Sequence, residues 1–513
     1  MKMSRVIASW AGAAASFALG GAAAGQCLPT PSCSILHPNA GDRFGRSVSS
    51  FGFGLPFLIG APEDQPPVGT GSSFIFSQAC VPLPYLTGDP VGAPEAFGFS
   101  VAGTVTTNAA SPKLAVVGAP TFAGTGAAYV RRESAGWAHV TLVQPAPQAA
   151  NDGFGFAVAA LPAAGAVPPR AFVGEPGSDL PAAGSGALHV FDATTGAFIA
   201  TQLNPVPQVA SQFGFSLASR SAANGCPDLL AVGAPAQDTT AGVDAGAVRI
   251  FDASTGAPVG DIVNQPGAGP SALLGFSVAF VGDLLAVGAP GAGGGVGAVY
   301  LFKLTGGCMP QLVPPVLVNP NGAAGDQFGA AISEGPCPDT VAVGAPATDV
   351  PLVDSGVVHI FRISTGIHLG TIPNPMPAVG DGFGTSVSSN GSVMAVGAPG
   401  RNAGAAFDAG AVYMIDLAAD CNGNCVADDC DIASGFSLDI DCDGKPDECE
   451  IMCHADIAPA CGDGQVNGAD LGVVIGSWGP GSGPADINRD GIVNGADLGI
   501  IIGCWGPCTG SCP

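Results

Sequence analysis

The chain has 513 residues, a formal net charge of −25, and 79 Gly, 46 Pro and 16 Cys. With 40 acidic against 15 basic side chains, it lacks the cationic surface that nucleic-acid phosphates require. Gly and Pro approach a quarter of the residues, which borders on low-complexity composition. They stand at fixed offsets between short apolar runs, however, so the chain reads as many short strands and tight turns.

At the N-terminus, Lys2 and Arg5 precede a small-apolar run from Val6 to Ala24, and Ala22-Ala23-Ala24 offers an A-x-A cleavage site. This is the layout of a secretory signal peptide over residues 1–24. Beyond it no uninterrupted apolar stretch approaches the roughly 20 residues a bilayer needs. An even number of cysteines fits disulfides in an oxidising compartment.

From residue 27 to 417 one pattern recurs. DLLAVGAP stands at 228–235 and again at 283–290. Weaker copies end at Gly60-Ala61-Pro62, Gly118-Ala119-Pro120, Gly174-Glu175-Pro176, Gly344-Ala345-Pro346 and Gly397-Ala398-Pro399, giving seven copies spaced 53 to 59 residues apart. Each follows a Phe-Gly pair (Phe44, Phe97, Phe154, Phe213, Phe328 and Phe383), replaced once by Leu274-Gly275. Each precedes a small-residue turn and a third apolar run, as in GAVRIF and GVVHIF, then a Gly-containing hairpin and an extended segment ending in proline. Four antiparallel strands repeated seven times describe the blades of a β-propeller. These units resemble the FG-GAP repeats of the integrin α-chain propeller and of many bacterial surface proteins.

Blade seven has only three strands after Phe383, and the segment Ser34–Pro38 has the shape of the missing fourth. The N-terminal strand is therefore expected to complete the last blade and remove an exposed strand edge. Cys308 should pair with Cys226 or Cys337, since all three fall in loops on one face.

The resemblance raises the question of calcium loops between first and second strands. The nearest match, RSAANGCPD at 220–228, keeps Gly225 and Asp228 but has Arg220 and Ala222 at carboxylate positions. No calcium is expected in the ring. His189 and His359 share a third-strand position with Tyr129, Arg249, Tyr300 and Tyr413, which reads as recurrent packing. Asp64, Asp179, Asp238 and Asp349 follow the Gly-Ala-Pro turns, and Asp244, Asp354 and Asp408 precede the next Gly. They read as backbone caps on the face that carries the blade-to-blade connections. The functional alternative is a partner-binding face.

Near residue 418 the composition changes. The last 94 residues hold 16 Asp/Glu, two basic residues and ten of the cysteines. Asp420, Asn422, Asn424, Asp428 and Asp431 stand at offsets 1, 3, 5, 9 and 12, and so do Asp439, Asp441, Asp443, Asp447 and Glu450. Alternating oxygen side chains around a tight turn supply the hard ligands Ca²⁺ requires. Residues 419–451 resemble thrombospondin type 3 repeats, with Cys425 where a turn glycine normally stands.

Residues 455–508 repeat as well: DGQVNGADLGVVIGSWG at 463–479 and DGIVNGADLGIIIGCWG at 490–506. Asp486, Asn488, Asp490, Ile492 (through its carbonyl), Asn494 and Asp497 occupy positions 1, 3, 5, 7, 9 and 12 of an EF-hand-type loop. In the first copy an insertion leaves Asp463, Gln465 (carbonyl), Asn467 and Asp470 as matches. Leu471, Val474, Ile475 and Trp478, like Leu498, Ile501, Ile502 and Trp505, recur at helical spacing; the stripe reads as core before docking face. Together the two units resemble a type I dockerin, which implies a cohesin-like partner. Gly468-Ala469 and Gly495-Ala496 stand where that partner usually reads a Ser-Thr-like pair.

The expectation is a mostly β, exported protein: a seven-bladed β-propeller, a small calcium-binding linker, then a small α-helical dockerin-like module. No nucleophile–base pair, phosphate loop or zinc spacing marks an enzyme. The expected role is a secreted or cell-surface, Ca²⁺-binding adhesion or assembly protein whose propeller loops take an extracellular protein or glycan. The alternative is a component of an extracellular polysaccharide-degrading complex.

Overall fold

The computed structural model describes residues 31–507 except 38, 65–69, 88–95, 106–112, 122–123, 143, 146–148, 165–166, 306, 321, 336, 338, 392, 405, 417–454, 459–464, 482 and 489–490. Seven four-stranded antiparallel sheets follow one another around a ring. Blade 1 is Ser47–Ser50, Phe57–Ala61, Ser72–Phe76 and Pro82–Thr87. Blade 4 is Ser216–Arg220, Leu229–Ala234, Ala247–Asp252 and Pro258–Ile262. The first strands of successive blades lie side by side around the central channel. They are tied laterally by serines, as in Ser50 N to Ser388 Oγ at 2.9 Å and Ser219 Oγ to Ala160 O at 2.9 Å.

Second strands such as LLAVGA are buried at every residue. They are apolar throughout, because a blade interior is covered on both faces and alternation has no purpose there. The Phe of each Phe-Gly pair, and Leu274, is fully buried, each contributing about 1.5–3 kcal/mol by burial. The core interleaves neighbours: Phe51, Leu58 and Ile75 of blade 1 pack with Val117 and Tyr129 of blade 2.

The glycines set the distance between blades. The Phe-Gly glycine donates its N–H to the Gly-Ala-Pro carbonyl of its own blade at 2.9–3.0 Å, from Gly45 to Gly60 through Gly384 to Gly397. Its own carbonyl then lies against the Gly-Ala-Pro glycine of the preceding blade. A Cβ on Gly60, Gly118, Gly174, Gly233, Gly288, Gly344 or Gly397 would come closer than 3.0 Å to the carbonyl oxygen of Gly98, Gly155, Gly214, Gly275, Gly329, Gly384 or Gly45. In five blades the serine two residues after the blade's own Phe-Gly glycine donates to the oxygen of the next blade's Phe-Gly glycine: Ser47 to Gly98, Ser100 to Gly155, Ser216 to Gly275, Ser277 to Gly329 and Ser386 to Gly45, at 2.7–2.9 Å.

Closure follows the expected path. Pro31–Leu36 pairs antiparallel with Ala411–Asp416, and completes blade 7 beside Ser386–Ser389 and Val393–Ala398. A disulfide from Cys33 to Cys80 ties that strand to the outer hairpin of blade 1. Cys308 bonds Cys226, one of the two partners expected.

Two short helices, α1 (Gly468–Gly476) and α2 (Gly495–Gly503), form a reciprocal pair. Gln465–Val466, before α1, pairs with Gly506–Pro507, after α2; Gly479–Pro480 and Ile492–Val493 pair in the converse way. Val474 and Ile501 are fully buried in their shared core. The apolar stripe expected as core is split, however: Ile475 is 57% and Ile502 61% exposed, with Trp478 and Trp505 beside them also open. A nine-residue helix against one partner buries a single face, and these side chains lie on the other. Among the described residues no helix is long and apolar enough to cross a membrane.

The glycine contacts make a direct prediction. Gly397→Ala places a methyl group against a backbone oxygen that cannot rotate away, and should destabilise the ring by about 3 kcal/mol or more, the upper range for overpacking. Gly370→Ala, where a Cβ meets nothing within 4 Å, should stay within about 0.5 kcal/mol of the parent. Urea denaturation of both variants measures the difference; equal stabilities would remove the glycine contact as the spacing constraint.

Candidate functional site

One face of the ring carries both the connections between blades and the turns between second and third strands. The two loop sets bond to each other across each junction: Gln212 N to Gly184 O, Leu273 N to Asp244 O, Gly382 N to Asp354 O and Arg43 N to Asp408 O, at 3.0–3.1 Å. The loop aspartates behave as caps. Asp179 Oδ1 accepts from Gly184 N, Asp238 Oδ1 from Asp244 N and Asp349 Oδ1 from Asp354 N, each at 2.9 Å. Asp244, Asp354 and Asp408 take positive φ of 50–51°, a conformation Asp tolerates better than most side chains. Asp64 differs, and is buried beside His37 and Asp42.

A second polar layer escaped the sequence reading. The amide before each proline turn reaches a group two residues ahead of the next Phe-Gly: Asn319 Nδ2 to Asp326 at 2.8 Å, Asn374 Nδ2 to Asp381 at 2.7 Å, Gln144 Nε2 to Asp152 at 3.2 Å and Asn204 Nδ2 to Ser211 at 3.0 Å. Asp326 and Asp381 also accept backbone N–H groups three residues upstream. These pairs fasten the connecting loops. The signal was present as a repeated N-P followed seven residues later by Asp or Ser.

The same face opens on the channel. The residue after each Phe-Gly is Arg46, Phe99, Phe156, Phe215, Phe276, Ala330 or Thr385, all half-buried. The four phenylalanines form a collar, with successive ring centroids 4.8–5.0 Å apart and tilted by 43–49°. Arg46 lays its guanidinium 4.7 Å from the Phe99 centroid. Burial, and then Arg43, hold the Arg46 guanidinium below its usual pKa. Small side chains leave the collar open at blades 6 and 7. Three consecutive Phe-Gly-Phe motifs were the available signal.

His189 and His359 sit as expected at one register position of the third strands, opposite Val173 and Val343. Tyr129, Tyr300 and Tyr413 hold that position in other blades, opposite Val117, Val287 and Val396. Each imidazole packs on its own blade's phenylalanine, Phe154 or Phe328, with centroids 5.4 and 5.5 Å apart. His359 is pushed down to about 3 by burial and by His368. His189 has a partner that the sequence reading missed: Glu175, which replaces the alanine of Gly-Ala-Pro, meets its Nε2 at 2.6 Å, while Nδ1 lies 2.9 Å from Thr201 Oγ1. Burial raises the Glu175 carboxyl despite that contact.

In the calcium-loop look-alike, Asp228 is engaged structurally, accepting from Ala222 N at 2.8 Å and Ser254 Oγ at 3.3 Å. Of the acidic tail, Asp420, Asn422, Asn424, Asp428, Asp431, Asp439, Asp441, Asp443, Asp447, Glu450, Asp463 and Asp490 lie outside the described residues. The others come together around the helix starts. Asn467 and Asn494 cap α1 and α2, with Asp470 and Asp497 completing capping boxes. Asp470 Oδ1 also accepts from Ile457 N and Ala458 N at 2.7–2.8 Å, and Asp497 Oδ1 from Asn488 N at 3.1 Å. Asp486 Oδ2 accepts from Gly491 N at 2.8 Å. Asn467 and Asn494 donate their amides to the Gln465 and Ile492 carbonyls. Burial pushes the Asp497 carboxyl up, but backbone hydrogen bonds from Asn494 and Asn488 outweigh it and hold it below the usual range.

The fold and its repeated glycine pairs define a seven-bladed β-propeller whose blade connections and second-to-third turns share one face. Residues 377–415, which run from the loop before Phe383 through the third strand of blade 7, match the FG-GAP repeat family model. A search of curated proteins finds no match.

The Glu175–His189 pair invites a double-mutant cycle. Glu175→Ala alone strands a buried imidazole and should cost about 1–3 kcal/mol. Adding His189→Tyr recreates the alanine and tyrosine of blades 2, 5 and 7, and should recover most of that loss in urea unfolding. For Asp497 the sign follows from a lowered folded pKa. Its stabilisation is present above an unfolded value of about 3.9 and fades as pH falls through the lower folded value. Asp497→Asn should therefore weaken α2 at pH 6 and converge with the parent in strong acid, as followed by hydrogen exchange in α2.

Proposed function

We propose that this chain is a secreted or cell-surface, calcium-binding, non-enzymatic adhesion or assembly protein that recognises an extracellular protein or glycan on the loop face of its propeller. The observation that carries the reading is the half-buried phenylalanine collar at the channel mouth. Monomeric surfaces rarely leave clustered large apolar side chains open without use. On the same face, blades 6 and 7 expose Val353, Val379 and Phe407 beside the open side of the collar. The loops bearing these groups are fastened by Asn–Asp pairs and backbone bridges, so a partner meets a surface that needs little ordering. The buried histidines and Glu175 are committed to packing and to one another, which supports recognition over turnover. The Cys33–Cys80 and Cys226–Cys308 disulfides are compatible with export.

The second terminal loop fits a hard cation. Asp486, Asn488, the Ile492 carbonyl, Asn494 and Asp497 surround one turn, and a carboxylate oxygen that accepts one N–H retains a second lone pair. Bound calcium would relieve repulsion among the crowded acids of residues 419–508. A second reading, recruitment to a polysaccharide-degrading assembly, is favoured by the exposed Ile475, Trp478, Ile502 and Trp505 at equivalent places of α1 and α2. Binding of a cohesin-type domain abolished by Trp478→Ala with Trp505→Ala would establish it.

Calorimetry on the full chain should detect uptake of about three Ca²⁺ ions at about 10⁻⁴–10⁻³ M, the range of extracellular modules, and Asp490→Ala should remove one. Pull-downs from envelope and medium, with and without calcium, should return a partner with the parent that is lost on Phe156→Ser with Phe215→Ser. Identical profiles for parent and variant would count against the collar.

A further inference from the structure

The junction that closes the ring holds a cluster unlike that of the other blades. His37 follows the closing strand, Asp42 lies two residues before Phe44, and Asp64 follows the first Gly-Ala-Pro turn. One ligand atom from each lies within 4.8 Å of the other two, and all three residues are buried. We propose that His37, Asp42 and Asp64 bind one divalent transition-metal ion, of the zinc class, that staples the closing strand to blade 1.

The comparison with other blades carries the argument. Where Asn319 and Asn374 stand, each seven residues before its aspartate, a neutral amide donates to the carboxylate and a backbone N–H adds a second bond. Here the connection is two residues shorter and the amide is replaced by an imidazole. Asp42 is 0% exposed, and neither of its oxygens has an aligned hydrogen-bond donor. Oδ2 lies 2.6 Å from His37 Nδ1, itself out of hydrogen-bond alignment, and Oδ1 has no hydrogen-bond partner among the described residues. A buried carboxylate in this state is costly unless a cation meets it. Asp64 brings a second carboxylate to the same point. The neighbouring arginines face elsewhere, Arg43 to Glu63 at 3.2 Å and Arg46 to the Phe99 ring.

Two carboxylates and one imidazole balance a divalent ion. The donor set selects among ions: an imidazole suits zinc and its neighbours, whereas calcium and magnesium prefer oxygen alone. Three protein ligands leave a fourth position for water. The imidazole is held in place by stacking on Phe44 (5.4 Å, 20°) and by Phe74 at 5.4 Å. The location gives the ion its purpose. His37 also donates its backbone N–H to Gly410 O at 3.3 Å in blade 7, so the ion, the strand pairing and the Cys33–Cys80 disulfide would all act across one seam.

The test uses the full chain, disulfides intact, stripped by chelation and then held in excess Ca²⁺ to fill hard-oxygen sites. Titration with Co²⁺, followed by visible absorption, and with Zn²⁺, followed by elemental analysis and thermal unfolding, should show one equivalent and a rise in melting temperature. His37→Asn installs the amide used at Asn319 and Asn374; it should keep the fold while losing that equivalent and the rise. Asp64→Asn should weaken Zn²⁺ at least tenfold. If parent and His37→Asn take up equal Co²⁺ and Zn²⁺, or the folded parent takes up neither, the proposal fails. In the second case the trio is a packing cluster of the closing seam and not an ion site.

Discussion

The contact between two glycines, one from each of two adjacent blades, sets the geometry on which the rest of the ring depends. A Gly-Ala-Pro glycine presents a bare Cα to the carbonyl of the next Phe-Gly glycine, and no larger residue fits between them. That approach brings the first strands together around the channel and lets each buried phenylalanine seat under its own sheet. It recurs at all seven junctions, including Gly397 against Gly45, where the last blade meets the first. A ring has no tolerance for an error that accumulates from blade to blade. A single fixed spacer repeated at every junction is a physical means of making the last blade meet the first.

Much of this was legible because the repeat writes the same constraint seven times. Phe-Gly and Gly-Ala-Pro stand out since glycine is needed where backbones touch, and the three-stranded remnant at blade 7 pointed to its completion by the segment Ser34–Pro38, where the structure has the strand Pro31–Leu36. Legibility ended where partners come from distant positions. Nothing local joins Glu175 to His189, although an acid in place of the usual alanine was a visible departure. His37, Asp42 and Asp64 converge only once the ring is closed. The Phe99, Phe156, Phe215 and Phe276 collar was in plain view as Phe-Gly-Phe, but alternation alone does not say which side of an inner strand faces the channel. In the C-terminal pair, periodicity identified both helices and placed Val474 and Ile501 correctly. It could not separate them from Ile475 and Ile502, because a helix of nine residues has one buried face whose width depends on its partner.

The polar residues divide by depth. On the loop rim, aspartates satisfy turn backbones; one layer in, amides hold aspartates at the blade connections; at the third strands, Tyr, His and Arg occupy one register position with different partners. Arg249, for example, reaches Asp261 at 2.9 Å across its own sheet. Each layer solves a satisfaction problem set by the layer outside it, since a connection that passes over the edge of a buried sheet leaves N–H groups without water. The seam between blades 7 and 1 departs from this scheme at the blade connection, by a shorter loop and by an imidazole in place of an amide.

This arrangement bears on recognition. Strand direction forces the blade connections and the second-to-third turns to the same end of every blade, so one face collects both of these loop sets and the opposite face receives the first-to-second and third-to-fourth loops. Loops free to vary in length and sequence can alter what the face contacts without disturbing the glycine spacing below. Their mutual hydrogen bonds, such as Gly380 N to Val353 O at 3.0 Å, hold exposed Val353 and Val379 on a fixed frame rather than a fluctuating one. The phenylalanine collar is more constrained still, because each ring stands between the spacer glycine and the first residue of an inner strand. A ligand seated on the collar, as proposed, would press directly on the junctions that hold the ring closed, and its binding would then be coupled to ring stability.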